Sequence, residues 1–280
     1  MRQLTLQQFL LSVLILLSPC VVTADNNKTY ILAVVPQLPP VEIYERWMPF
    51  VNKLSKELGA NIQLKAYPSI PQFEADILKG VPDIAFMNPY HEVMAKNSQG
   101  YLPLIKDKAD LVGILVVTKN SGINSIADLS GKEIAFPTPN AFAASLYMRA
   151  LLANKGKIHF TPLYVKTHSN VYRFVALNKA SAGGGVNNTF MRESEALKSQ
   201  LKIIYTTPGS APHPLSAHRR VPEAVRKIFI KAVLGLAEDK NNKDMFNNIQ
   251  IPEPVAADYR RDYLPLEKLG LEKYVVLETE

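Results

Sequence analysis

Polar side chains follow three strand-like runs in the central third of the chain, where they could bind a small anion. The runs and the loops after them cover residues 134–142, 164–170 and 182–186, and each precedes a predicted helix. In an open α/β sheet, ligands bind at the carboxyl ends of strands, where helix N-termini present N–H groups without intrahelical partners. The three junctions therefore predict one cleft for a small molecule, and the N–H groups favour an anion.

Two of these junctions supply candidate contacts from the second half of the chain. Asn140, Ala141 and Phe142 could bind an anion through backbone N–H groups, which act independently of the side chain. His168 could donate a hydrogen bond to an oxyanion in either protonation state. Ser169 could contact the ligand or cap the helix that begins there.

A similar junction in the first half supplies candidates for the opposite wall of the cleft. Asn88 could contact the ligand or cap a helix, and Tyr90 could offer its hydroxyl and ring face or pack in the core. His91 is a third candidate at the same helix start. Gln37 follows the first predicted strand and could reach the same cleft.

Three consecutive glycines, from Gly183 to Gly185, permit a close backbone approach or a positive φ. Gly184, at their centre, could face the ligand, or the triplet could allow tight packing inside the domain. A Walker phosphate-binding loop is excluded, because no Gly-Lys-Ser/Thr follows.

Catalytic and metal-binding patterns are missing from the sequence. It contains no Gly-x-Ser-x-Gly elbow, and its single cysteine is Cys20, so we expect neither an enzyme nor a cofactor. His213 and His218 lie in a predicted loop rather than on one helical face. We therefore expect them to line or support the cleft and to bind no metal.

The first 24 residues are predicted to be a secretory signal peptide. An apolar run over residues 9–17 follows Arg2, and small residues precede a cleavage site after Ala24. Lipoprotein processing would instead place Cys20 at the mature N-terminus, but Pro19 stands where a small residue is expected. We therefore expect a periplasmic protein without a lipid anchor. Cleavage after Ala24 would leave no cysteine and hence no disulfide.

The composition indicates a soluble, basic protein. The 280 residues carry 32 Lys or Arg and 25 Asp or Glu, a formal net charge of +7. A basic balance suits an anionic ligand or simply gives solubility. The cations look scattered along the sequence, which argues against a nucleic-acid-binding protein. No apolar stretch after the signal peptide approaches 18 residues.

Strand and helix patterns alternate along the chain, which predicts an α/β fold with two lobes. Each lobe is expected to contain a mostly parallel sheet flanked by helices, with the ligand cleft between the lobes. The predicted first lobe comprises residues 25–117 and 207–280, and the second comprises residues 118–206. A small helical element over residues 258–271 is expected to pack on the first lobe.

Four motifs, in their order along the chain, resemble those of a known family of binding proteins. They are Asp-Ile-Ala-Phe-Met-Asn-Pro-Tyr at 83–90, Asp-Leu-Ser-Gly-Lys at 128–132, Thr-His-Ser-Asn-Val-Tyr at 167–172 and Ala-Gly-Gly-Gly-Val at 182–186. The chain is similar to periplasmic solute-binding proteins of the phosphate, phosphite and phosphonate type. The resemblance implies the type II periplasmic binding protein fold, a monomer, and delivery of a small oxyanion to an ABC transporter permease in the inner membrane.

The resemblance is incomplete at the anion-binding loop. The family usually has a Ser/Thr-rich run after the proline at the position of Pro139, whereas this chain has Asn-Ala-Phe-Ala-Ala at 140–144. Asn170 also stands where an acidic residue is common. The expected ligand is a phosphonate-, phosphite- or phosphate-like anion, and a different small anion is the alternative. A second alternative is a sensory module that reports ligand to a membrane-bound histidine kinase.

Overall fold

The structure is a computed structural model that describes residues 28–277, so the predicted signal peptide and Cys20 lie outside the described residues. The strands are β1 Thr29–Val34, β2 Asn61–Ala66, β3 Ile84–Phe86, β4 Leu102–Asp107, β5 Gly113–Thr118, β6 Glu133–Phe136, β7 Thr161–Tyr164, β8 Ala182–Val186, β9 Leu201–Thr206, β10 Leu215–Ala217 and β11 Pro254–Ala256. The α-helices are α1 Pro40–Leu58, α2 Ile70–Leu78, α3 Pro89–Gln99, α4 Tyr147–Asn154, α5 His168–Ala176, α6 Asn187–Met191, α7 Glu195–Lys198, α8 Glu223–Glu238, α9 Lys243–Asn248 and α10 Leu264–Glu267.

The strands form two sheets, which confirms the two-lobed α/β fold. The first sheet has the order β11-β4-β10-β3-β1-β2, and the second has the order β7-β6-β8-β5-β9. Both sheets are mixed: β10 runs antiparallel to β3 and β4, and β5 runs antiparallel to β8 and β9. The reason is geometric, because a strand that arrives from the other lobe enters its sheet at the edge where the parallel strands leave.

The first crossing between the lobes lies earlier than the sequence predicts. β5 pairs with β8 and β9, so it belongs to the second sheet, and the chain crosses between Asp107 and Gly113. The predicted boundary between residues 117 and 118 is therefore wrong, since the consecutive apolar strands β4 and β5 belong to different lobes. The return crossing follows β9. Leu111 and Ser210 exchange backbone hydrogen bonds of 2.8 and 3.1 Å, which join the two crossing segments.

Helix α1 forms the main helical cover of the first lobe. Its buried face carries Ile43, Trp47, Phe50, Val51, Leu54 and Leu58 at helical spacing. Gly59 ends the helix in the left-handed conformation at φ 58°, as predicted from its position. Pro49 lies inside the helix without ending it. None of the helices in residues 28–277 is long and apolar enough to cross a membrane.

The glycine triplet lies in β8, the central strand of the second sheet, and every residue of that strand is buried. A Cβ on Gly184 would lie 2.1 Å from the carbonyl oxygen of Ala144 and 2.6 Å from the ring of Phe136. A Cβ on Gly185 would lie 2.3 Å from the hydroxyl of Tyr172. The glycines are thus required by close packing on both faces of the strand. This corrects the expectation that Gly184 contacts the ligand.

The helix predicted after residue 140 begins with a π-helical turn, Phe142–Leu146, and continues as α4. The turn packs so closely on the second sheet that the carbonyl oxygen of Ala143 lies 2.3 Å from the position of a Cβ on Gly113. Single π-turns inside longer helices are rare and occur frequently at functional sites.

The C-terminal segment, residues 259–277, contacts both lobes. Its π-turn Tyr259–Tyr263 and α10 pack on α3 of the first lobe, and its 3₁₀ turn Leu271–Tyr274 packs on α4 of the second. The segment therefore packs on the first lobe, as expected, and also on the second lobe, which was not expected.

Candidate functional site

The candidate site lies where the carboxyl ends of β1 and β3 face those of β6, β7 and β8. The backbone N–H of Val35 donates to the carbonyl of Phe86, and the N–H of Met87 donates to the carbonyl of Pro214. These bonds bring the segments after β1 and β3 together with the return crossing. The loops after the parallel strands of the second lobe approach from the other side, as the sequence pattern predicts.

Asn88 is the N-cap of α3 and also joins the lobes. Its Oδ1 accepts hydrogen bonds from the backbone N–H groups of Tyr90 and His91 at 2.9 and 2.8 Å. Its Nδ2 donates to the carbonyl oxygen of Asn140 at 3.0 Å. Asn88 therefore caps the helix, which is one of its two predicted roles, and both ends of its side-chain amide bond to other groups of the protein.

A buried polar network around Glu74 crosses the lobe interface. Glu74, on α2 of the first lobe, is 3% exposed and its Oε1 lies 2.7 Å from Nε2 of His91. Nδ2 of Asn140, from the second lobe, donates to the two carboxylate oxygens of Glu74 at 2.9 and 3.2 Å. The sequence analysis missed Glu74, because a lone carboxylate on a helix has no local signature.

Asn140 also fastens the C-terminal segment to the second lobe. Its Nδ2 donates to the carbonyl oxygen of Val276 at 2.8 Å, and its Oδ1 accepts from the N–H of Val276 at 3.0 Å. Both ends of the amide are thus engaged by the protein. The side chain of Asn140 is therefore unavailable to a ligand, and the predicted contact through the backbone N–H groups of this loop stays a prediction.

Asn140→Ala should destabilise the protein by about 2 kcal/mol, because it leaves Glu74 and both backbone groups of Val276 without these partners. Urea unfolding would measure the loss, and the C-terminal segment should become more sensitive to carboxypeptidase. Asn52→Ala, on the exposed face of α1, is the matched control and should change stability by less than about 0.5 kcal/mol. Equal effects of the two variants would contradict the fastening role.

Ser169 is engaged outside the cleft. Its hydroxyl donates to Oε1 of Glu193 at 2.5 Å, and the cap of α5 is Thr167, whose Oγ1 accepts from the N–H of Asn170 at 3.2 Å. Ser169 therefore neither caps the helix nor presents a free hydroxyl. The capping interpretation of Ser169 is therefore wrong, and the interpretation as a ligand contact stays a prediction.

Tyr90, Ala141 and Phe142 belong to an apolar cluster that spans the lobes. Phe142 is 2% exposed and stacks on Tyr147 with ring centroids 5.8 Å apart. Burial raises the pKa of Tyr90, and Glu272 and Glu267 of the C-terminal segment add to the shift. Tyr90 therefore faces that segment and packs in the apolar cluster, which is the core-packing alternative raised by the sequence. Ala141 packs on the same cluster, and its N–H donates to the carbonyl of Thr138.

Three histidines, which we call the histidine cluster, come together from separate elements: His91 of α3, His168 of α5 and His213 of the return crossing. Burial lowers the pKa of His213 to about 3, with smaller contributions from His91 and His168. Burial also lowers the pKa of His168 to about 4. Both imidazoles are therefore neutral at pH 7, and each can donate one hydrogen bond and accept another.

Gln37 supports the histidine cluster. Its Nε2 lies 2.8 Å from Nε2 of His213, and its Oε1 accepts from Gln250 at 2.7 Å. The ring of His213 stacks on Phe86 at a centroid distance of 5.4 Å. Gln37 thus holds the imidazole of His213 in place, and its contact with a ligand stays a prediction. His218 packs elsewhere, against Tyr101.

Buried polar atoms without a hydrogen-bond partner occur in both lobes, on residues of the candidate site. They include Nδ1 of His91, Nδ1 of His168 and Oγ1 of Thr138 among the described residues. Such atoms are uncommon in folded proteins, because an unpaired buried polar group costs about 1–3 kcal/mol. Thr138, between two prolines, was missed as a candidate, although its hydroxyl is the one next to the altered loop.

Arg149 places a buried cation under the same loop. It is 8% exposed and donates hydrogen bonds to the carbonyl oxygens of Pro139 and Tyr274 at 2.8 and 2.7 Å and to the hydroxyl of Ser145. No carboxylate of the described residues forms an ion pair with it in this arrangement. Its charge therefore favours an anion near the loop. The sequence analysis missed Arg149, because one Arg within a helix is ordinary.

Comparisons with known proteins agree with the fold and with the sequence motifs. A family model described as "ABC transporter, phosphonate, periplasmic substrate-binding protein" matches residues 32–263. The phosphate-import protein PhnD of Mycolicibacterium smegmatis is 22% identical over 224 residues, which cover 72% of this chain and 70% of that protein.

Solved structures share the fold. PhnD1 of Prochlorococcus marinus, in complex with methylphosphonate, superposes with a TM-score of 0.77 at 16% identity, covering 90% of this chain and 100% of that one. A binding protein component of an ABC phosphonate transporter from Pseudomonas aeruginosa gives a TM-score of 0.75 at 15% identity, covering 88% and 87% of the two chains.

Proposed function

The chain belongs to the family of periplasmic substrate-binding proteins of phosphonate ABC transporters, and from this we infer that it captures a small phosphorus oxyanion between its lobes and delivers it to an ABC importer. The ligand class is phosphonate-, phosphite- or phosphate-like. The related proteins named for phosphate import and for methylphosphonate binding support this class. The family description names a transporter component, which favours transport over sensing.

The observation that carries the ligand proposal is the set of unpartnered polar atoms on both walls of the cleft. His91 contributes from the first lobe, and His168 and Thr138 contribute from the second. A tetrahedral oxyanion presents several acceptor oxygens and can bond to donors from both lobes at once. Such two-sided contacts stabilise the closed arrangement over an open one.

Neutral donors suffice for this site because other groups provide the positive potential. Arg149 lies beneath the loop, and the first turn after Ala141 has no side-chain cap, which leaves its N–H groups available to an anion. The hydroxyl of Thr138 partly replaces the Ser/Thr run of the family. This arrangement binds an anion without requiring a protonated histidine.

A thermal-shift screen followed by calorimetry tests the proposal. Phosphate, phosphite or methylphosphonate should raise the melting temperature, because a ligand that binds only the native state stabilises it by mass action. Thr138→Val, which removes only the hydroxyl, should weaken binding about tenfold, as expected for one hydrogen bond to a charged group.

Thr161→Val, at the exposed start of β7, is the matched control and should bind as the unmodified protein does. His168→Ala should also weaken binding about tenfold or more. Binding of a phosphorus oxyanion that is unchanged in both site variants would place the ligand elsewhere. The absence of any shift with these anions would exclude the ligand class.

We also expect the processed protein to be a periplasmic monomer that docks on its permease in the ligand-bound form. The family description supports the compartment and the partner. The predicted signal peptide supports export, and size-exclusion chromatography of a periplasmic extract would test both compartment and monomeric state.

A further inference from the structure

The positive charge of the protein is concentrated in the second lobe. Residues 113–206 carry eleven Lys or Arg and four Asp or Glu, a formal charge of +7, whereas the remaining residues carry 21 of each. Cations that look scattered along the sequence are thus gathered in one lobe by the fold. The ligand cleft uses only Arg149 of this set, so the excess charge needs another explanation.

The topology places most of these cations at the end of the lobe away from the cleft, which we call the distal end. The parallel strands β6, β7 and β8 begin at this end. β5 is antiparallel to β8 and therefore ends there, and β9 is antiparallel to β5 and therefore begins there. The adjoining turns carry Lys119, Lys132, Lys155, Lys157 and Lys179, and the first residues of β9 add Lys202.

Backbone hydrogen bonds tie these turns together. The N–H of Lys119 donates to Gln200, the N–H of Thr161 donates to Lys132, and the N–H of Ser181 donates to Glu133. Five neighbouring strands span roughly 20 Å, so the lysines are spread over a broad surface rather than around one point.

Little negative charge compensates the distal end. Its acids are Asp128 and Glu133, and the carboxylate of Asp128 accepts two backbone N–H bonds of 2.9 Å. Lys198 nearby pairs with Glu195 at 2.7 Å. Lys202 donates to the amide oxygen of Asn124 instead of a carboxylate. The end therefore presents a positive surface to any partner.

Two apolar features accompany the lysines. Leu177, two residues before Lys179, is 65% exposed at the end of α5. A groove of about 500 Å³ has Lys155 at its edge and an apolar wall formed by Ile126, Ile204 and Tyr205. A basic surface with an exposed leucine and an apolar groove suits an amphiphilic anion.

We propose that the distal end binds the anionic phospholipid headgroups of a membrane surface. All six of its cations are lysines, whereas protein interfaces are enriched in Arg and depleted in Lys. Flexible lysines act as point charges toward a diffuse anionic surface, where each contributes about 1 kcal/mol. Leu177 enters the headgroup layer. The contact holds the protein at the membrane where an importer lies, while the cleft, at the opposite end of the lobe, stays accessible.

Vesicle flotation tests this proposal on the protein without its predicted signal peptide, which retains both lobes. Vesicles of phosphatidylcholine with 30% phosphatidylglycerol should bind it at about 50 mM salt, and pure phosphatidylcholine or about 500 mM salt should abolish binding. The variant Lys155→Gln/Lys157→Gln/Lys179→Gln should reduce the partition coefficient tenfold or more.

The matched control is Lys56→Gln/Lys231→Gln/Lys268→Gln, which removes three exposed lysines from the first lobe and C-terminal segment and changes the net charge equally. It should bind as the unmodified protein does. Equal losses in the two triple variants, or equal binding to zwitterionic vesicles, would overturn the proposal. Retention on immobilised polyglutamate without vesicle binding would also overturn it and assign the distal end to an acidic protein.

Discussion

Replacing Glu92 by Gln should stabilise the protein by about 3 kcal/mol at pH 7. Glu92, on α3, is fully buried, and neither of its carboxylate oxygens has a hydrogen-bond partner within the described residues. Burial raises its pKa to about 8, and the nearby Ser216 hydroxyl and Lys96 ammonium oppose the shift only in part. Gln keeps the shape of the protonated acid and removes the ionisation.

The pH dependence follows from the direction of this shift. The unfolded chain releases the proton near the ordinary pKa of 4.5, whereas the folded protein keeps it up to about pH 8. Stability is therefore complete below pH 4.5, falls as the pH rises to 8 and levels off above it, with a total loss of about 5 kcal/mol.

Urea unfolding between pH 5 and pH 9 measures the effect. The stability of Glu92→Gln should lack this decline, so the two curves should converge near pH 5 and separate toward pH 8. Glu57→Gln, on the exposed face of α1, is the control and should run parallel to the unmodified protein. A constant difference between Glu92→Gln and the unmodified protein at every pH would contradict the shift.

Gly184→Ala should destabilise the protein by about 3 kcal/mol or more. The added Cβ would meet the carbonyl oxygen of Ala144 at 2.1 Å and the ring of Phe136 at 2.6 Å, and the carbonyl cannot retreat without moving the π-turn from the sheet. Overpacking of a well-packed core usually costs about 1–3 kcal/mol, and a backbone contact this short belongs at the upper end.

Gly235→Ala is the matched control, because the same methyl group meets no atom within 4 Å on helix α8. That change should stabilise the protein by up to about 1 kcal/mol through helix propensity. Urea unfolding of the two variants should therefore show changes in the free energy of unfolding that have opposite signs. If Gly184→Ala is insoluble while Gly235→Ala is not, the packing argument also holds; equal stability of the two would falsify it.

Local patterns in the sequence predict the elements well, since the signals that define them lie close together in the chain. The periodic face of α1 and the glycine after it are examples, and the two capping alternatives for Asn88 and Ser169 show the limit. Asn88 caps the helix that it precedes, whereas Ser169 bonds to Glu193, 24 residues away.

The parts of the site that could not be predicted depend on contacts between remote segments. Asn140 bonds to Val276, and Gln37 bonds to His213, across sequence separations of 136 and 176 residues. A side chain that looks free in the sequence can thus be engaged by a segment with no pattern of its own. Arg149 and Glu74 were missed for the same reason, because burial alone makes them unusual.

The C-terminal segment gives the two lobes a third tether. Two crossing segments joined at Leu111 and Ser210 form one narrow ribbon, about which a pair of lobes can both bend and twist. A further attachment, from α3 to Asn140, lies off that ribbon and opposes twisting. Opening must therefore either carry the tether with one lobe or detach it from Asn140. Detaching it breaks the two hydrogen bonds between Asn140 and Val276, so the tether adds their free energy to the cost of that opening.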